Sequence, residues 1–168
     1  MPALAHYGIG LAAKRINIKI PLWALLIAAS FMDIIAMLIP TLPLWVSHSL
    51  FMTVIYSLIA ILLTTLITYY YKSKNKQTNS KISFKKNFGM GLIIGFCVLS
   101  HWILDFIGWP MVFMPDYNGV PLLFDDNYTI GLGVYSTWTG AIVMDFGVFI
   151  IGFLIYFYTL KKIKKDKL

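Results

Sequence analysis

Apolar residues along this chain fall in long unbroken runs, with polar residues gathered between them. The runs cover residues 2–13, 21–39, 49–71, 88–107 and 134–160. The last four approach or exceed the roughly 20 residues that a helix needs to cross a bilayer. The first makes only about 18 Å of helix. The pattern predicts an all-α, polytopic membrane protein with four long transmembrane helices and a short N-terminal membrane-embedded helix. That short helix is either re-entrant or a fifth span beginning outside. Residues 1–168 read as a single integral membrane domain. A secretory leader over residues 1–30 fits less well, because the apolar run continues past Ser30 through Asp33 to Ile39.

The punctuation supports these spans. Pro40 and Pro43 close the first long one, and Ser47-His48-Ser49 opens the second, which ends in Tyr69-Tyr70-Tyr71. Residues 72–87 are rich in Lys, Asn and Ser and read as a polar loop. Gly89, Gly91 and Gly95 in the third span predict close approach of a neighbouring helix. Residues 108–133 hold Pro110, Pro115 and Pro121, Asp116, Asp125 and Asp126 and no basic residue, which predicts an ordered external loop. Asp125-Asp126-Asn127 reads as a solvated stretch without calcium-loop spacing.

Composition sharpens the class. The chain is 59% hydrophobic and its mean hydropathy is +0.76, which excludes an ordinary soluble domain. The net charge of +7 does not point to nucleic acid. All 14 Lys and Arg residues lie in three clusters, at 14–19, 72–86 and 161–167, each flanking an apolar run. One-sided placement of this kind is the positive-inside pattern. It predicts a multi-pass protein of the inner (cytoplasmic) membrane, with loop 72–87 and the C-terminus cytoplasmic and anionic lipid as the partner of the lysines. Cys97 is the single cysteine and reads as a small hydrophobe.

Candidate chemistry rests on the rare polar groups inside the runs. The chain has no glutamate, and Asp33, Asp105 and Asp145 lie within apolar segments. His101 and Asp105 are four apart, hence one turn apart on one helix face. His6 and His48 are the other two histidines. Counted from the nearest lysines at about 1.5 Å per residue, Asp33 sits roughly 21 Å up, His101 roughly 22 Å and Asp145 roughly 24 Å, with His6 lower at roughly 12 Å. Separate helices thus bring polar groups to one depth in the outer half of the bilayer. Buried imidazoles and carboxylates are costly and mark functional sites, and this ligand set suits zinc most simply, with manganese or iron as alternatives. The candidate ligands are His6, Asp33, His48, His101 and Asp105. Asp33 or Asp105 is also the candidate catalytic base. Asp145 and Ser100 are candidates for the surrounding shell. A cation there would acidify water into a nucleophile. A serine-hydrolase reading of Ser47, Ser49 and Ser100 lacks a nucleophile elbow.

The ordered set His6-Tyr7-Gly8, Asp33, Ser47-His48-Ser49 and Ser100-His101 with Asp105, followed by Gly108-Trp109-Pro110, resembles the LexA-binding, inner-membrane-associated hydrolase family. These are small helical proteins described as membrane-bound metal-dependent hydrolases. The resemblance covers roughly residues 1–115. It departs at Pro43-Leu44-Trp45-Val46, where the family carries His-Arg-Gly, and at Met32-Asp33, where it carries Pro-Asp-x-Asp. It implies metal-dependent hydrolysis of a lipid, phosphoester or other membrane-delivered substrate, and it names no particular one. Two rival classes remain: a proton- or cation-handling transporter using the same His and Asp groups, and a non-catalytic scaffold.

Overall fold

The structure, a computed structural model, describes residues 3–74, 84–116 and 118–165. Among these, seven α-helices occur in the order α1 (Ala3–Ala13), α2 (Leu22–Ala29), α3 (Phe31–Leu38), α4 (Leu44–His48), α5 (Leu50–Lys74), α6 (Phe84–Gly108) and α7 (Trp138–Lys165). Three of them, α5, α6 and α7, are long and apolar enough to cross a membrane. The fourth long span expected over residues 21–39 is instead the pair α2 and α3, broken at Ser30, whose backbone (φ −106°, ψ 12°) leaves the helical region. The second span also starts later than expected. His48 ends the short α4, Ser49 is extended, and its hydroxyl accepts the Met52 N–H at 3.1 Å to cap α5.

The expected loop 72–87 is shorter than its composition suggested. Helix α5 continues through Lys74 and α6 begins at Phe84, while residues 75–83 lie outside the described residues. Lysines at helix ends do not stop a helix whose apolar face is packed.

Helix α6 is the centre of the molecule. Of its apolar window 61% is buried, against 17% for α5 and 11% for α7. Met90, Ile94, Cys97 and Val98 on α6 form one core with Leu25, Ala28 and Ala29 on α2. A methyl group added at Gly91 would meet the Ile61 carbonyl oxygen at 2.7 Å, so α5 and α6 touch through backbone there. Gly89 has open space beside it and takes no part. Helix α7 is held chiefly by α1, again backbone to backbone. A methyl at Gly152 would overlap the Gly8 carbonyl, and one at Gly8 would meet the Val148 carbonyl at 2.5 Å.

The loop between α6 and α7 is packed, as its composition predicts. It holds a two-stranded antiparallel ribbon, β1 (Val120–Pro121) with β2 (Thr129–Ile130), and a 3-10 turn at Val134–Ser136. Trp109, Met111, Val120 and Tyr135 form a second core with Trp102 of α6 and Ala141 of α7. Burial pushes the Tyr135 phenol well above its usual range, so it stays neutral. The Phe51 N–H donates to Leu122 O at 3.2 Å, which fastens this loop over the start of α5.

Candidate metal centre

Three histidines and two aspartates from four helices meet in one buried cluster. His6 comes from α1, Asp33 from α3, His48 from α4, and His101 and Asp105 from α6. All five residues are between 0 and 7% exposed. His48 Nε2 lies 3.6 Å from Asp33 Oδ1 and 3.8 Å from Asp105 Oδ2, and His101 Nε2 lies 3.7 and 3.4 Å from the same two oxygens. His6 joins from the side. Its Nε2 is 3.6 Å from Asp105 Oδ1, and its ring stacks on His101 with centroids 3.9 Å apart.

Each helix break serves this convergence. The kink at Ser30 takes the Ala29 carbonyl out of the regular ladder, and His101 Nδ1 bonds to it at 2.8 Å. A carbonyl only accepts, so Nδ1 carries the proton. Ending α4 at His48 aims that ring inward, where its Nδ1 meets Ser47 Oγ at 2.8 Å. The one Ser47 hydroxyl proton is donated to Leu44 O at 3.2 Å, so Ser47 accepts from His48 Nδ1. Both rings are thus fixed with Nδ1–H outward and the Nε2 lone pair toward the carboxylates. Ligating histidines are held in this way.

The spacing discriminates between occupants. A protonated imidazole facing a carboxylate closes to about 2.7–2.9 Å, and none of these five contacts does. Metal bonds of about 2.0–2.2 Å at tetrahedral angles give ligand-to-ligand edges of about 3.3–3.6 Å. Octahedral magnesium at about 2.0–2.1 Å gives about 2.8–3.0 Å. The four His–Asp edges, 3.4 to 3.8 Å, lie nearer the tetrahedral than the octahedral values, and the ligand atoms within 4.8 Å of one another form two triads that share His101: His6, Asp33 and His101, and His48, His101 and Asp105. With neutral rings the set would carry −2, which one divalent cation would cancel, and two buried carboxylates facing imidazole lone pairs would otherwise be strongly unfavourable. The donor set fits a divalent cation.

The two expected outer members are placed differently. Ser100 Oγ donates to Cys97 O at 2.7 Å, a bond within its own helix. Asp145 Oδ1 accepts the Ala5 N–H at 2.7 Å, capping the first turn of α1 beside His6. Asp126 does the same for α4 by accepting the Trp45 N–H at 2.8 Å, so it is more than the solvated residue its sequence context suggested. Ser47 and the Ala29 carbonyl escaped the sequence reading as orienting groups. A serine beside a histidine was visible, whereas nothing in the sequence flags a backbone carbonyl. His6 joins the cluster although its count from Lys14 put it lower than the other members. No protein-family model matches the chain, and no curated protein or solved structure does either.

Proposed function

We propose that this protein is a membrane-embedded, metal-dependent hydrolase acting on a lipid or phosphoester substrate. The observation that carries the reading is the pair of histidines, His48 and His101, whose Nδ1 protons are committed outward while both Nε2 atoms face Asp33 and Asp105. His48, His101 and Asp105 would hold the ion, leaving a fourth position for water, with Asp33 and His6 beside it. A bound zinc, manganese or iron would supply Lewis-acid charge and lower the pKa of water toward neutrality.

The general base is Asp33. Its Oδ2 is buried and accepts no hydrogen bond, which leaves a lone pair for a proton from water. Its side chain is also 10% exposed, against 6% for Asp105 and 0–3% for the three histidines, so water and substrate reach the cluster at Asp33 first. We place the basic helix ends in the cytoplasm by the positive-inside rule, which puts the cluster in the outer half of the bilayer. The motif order resembling the membrane-bound hydrolases points to hydrolysis over other metal chemistry. The transporter reading needs a polar path toward the basic side. The inner part of α6 there is Met90, Gly91, Leu92, Ile93, Ile94 and Gly95, and this favours a closed site.

The test is metal content by elemental mass spectrometry of detergent-purified protein, followed by a screen of phosphoesters and lipid esters. Wild type should carry a stoichiometric transition metal that His101→Ala loses while remaining folded. Asp33→Asn should lower turnover by about 10²–10⁴-fold, the usual contribution of general acid–base catalysis. Wild-type protein that takes up no metal even after reconstitution would end the proposal.

A further inference from the structure

We infer a second site: a groove that binds one anionic phospholipid of the leaflet on the basic side. Helices α2 and α5 both pack on α6 but scarcely touch each other. The gap between them is a cavity of about 410 Å³ with no histidine or aspartate in its lining. Its walls are apolar. Ala24 and Ala28 come from α2, Ala60 and Ile67 from α5, and Met90 and Ile94 from α6. Small residues on α2 and α5 leave the space, and the larger Ile and Met side chains of α5 and α6 line it.

Depth and charge decide the occupant. The α6 lining runs from Met90 to Val98 and the α5 lining from Ala60 to Thr68, each a rise of roughly 12 Å. That is most of the roughly 15 Å that one leaflet contributes to the hydrocarbon core. The end nearer the basic clusters is marked by Lys19, the one charged residue in the lining, with Trp23 beside it and 67% exposed. Of the neighbouring cations, Lys14 is turned onto backbone carbonyls and Arg15 lies over the Tyr158 ring at 5.2 Å. Lys19 forms no ion pair among the described residues. An acyl chain lying along α6, with its phosphate at Lys19 and its glycerol level with Trp23, satisfies the apolar walls and the charge together. The lipid belongs to the leaflet on the basic side, because a chain entering from the other leaflet would meet no cation at its head.

The probe is native mass spectrometry of the protein extracted from vesicles of equal phosphatidylglycerol and phosphatidylcholine. Wild type should retain one phospholipid with phosphatidylglycerol preferred. Lys19→Gln should reduce that preference about fivefold, the factor expected of one surface lysine facing an anionic head. Thr64→Trp, which fills the groove, should lose the lipid. Lys162→Gln is the control, because it lies in a separate basic pocket with Arg15 and should leave the preference unchanged. Equal retention of both lipids by wild type overturns the inference. So does a preference that responds to Lys162→Gln and not to Lys19→Gln, or a lipid still bound to folded Thr64→Trp. If Thr64→Trp does not fold, the two lysine variants decide the matter alone. None of these readouts depends on metal or hydrolysis.

Discussion

At the scale of single residues, the cluster depends on proton placement as much as on which residues are present. His48 presents a lone pair inward only because Ser47 accepts from its other nitrogen, and Ser47 can accept only because its own proton goes to Leu44 O. Ser47→Ala removes that constraint. The ring is then free to carry its proton on Nε2, where it faces the carboxylates as a donor and no longer as a ligand. Zinc affinity, read by competition with a chromophoric chelator, should fall about 10–100-fold, the usual cost of losing an outer partner of a ligating histidine. Ser47→Thr keeps the hydroxyl and should keep most of the affinity. Unchanged affinity in Ser47→Ala would mean that the tautomer is set by something other than this chain of bonds. His101 is less vulnerable to side-chain substitution around it, since a backbone carbonyl holds its Nδ1.

At the scale of elements, two of the cluster's histidines ride on short helices that borrow their caps. Helix α4 begins after Pro43, which makes no side-chain cap bond, and Asp126 supplies the acceptor from the loop before α7. Helix α1 is met by Asp145 of α7. A carboxylate at a helix N-terminus both accepts an orphan N–H and faces the positive end of the helix dipole. Asp145→Ala should therefore loosen α1 and with it His6, lowering metal affinity several-fold with the other ligands intact. A double-mutant cycle separates this from a general loss of stability. In a His6→Ala background, Asp145→Ala should cost almost nothing further, because the two act through the same contact. Additive losses would instead make Asp145 a purely structural residue.

The same elements show how far the sequence could be read. The set His6, Asp33, His48, His101 and Asp105 was legible because such groups are scarce in apolar runs and cannot be placed in hydrocarbon casually. The helix breaks were not legible. Ser30 is an ordinary residue inside apolar sequence, and its break goes with a tertiary bond, from His101 Nδ1 to the Ala29 carbonyl, that no local pattern encodes; Ser49 caps α5 by a local bond to Met52, and the sequence showed it only as part of the opening of a span. Asp125-Asp126-Asn127 looked like solvated loop for the same reason. The partner of Asp126 is 81 residues away in sequence, and spacing carries no trace of it.

At the scale of the whole molecule, the cluster is the point where four of the seven described helices meet, and it gathers two carboxylates among three imidazoles. The segments that carry His6, Asp33 and His48 reach α6 mainly at this point and through the alanine-rich core around Leu25. With neutral rings and no cation, two buried carboxylates meet imidazole lone pairs, which opposes assembly of these helices. With one, the same groups draw the helices together, so binding and folding are linked. Free metal at about 100 times its Kd adds about 2.7 kcal/mol to the folded state. For a chain of this size that corresponds to a rise in Tm of about 5–10 °C. Thermal unfolding in detergent, followed by circular dichroism, should show this rise on adding zinc to chelator-treated wild type. It should be absent in His101→Ala, whose Tm should already lie near the chelated value. A wild-type Tm indifferent to both chelator and zinc would mean that the five groups are held together by the surrounding apolar packing alone, with no ion at their centre.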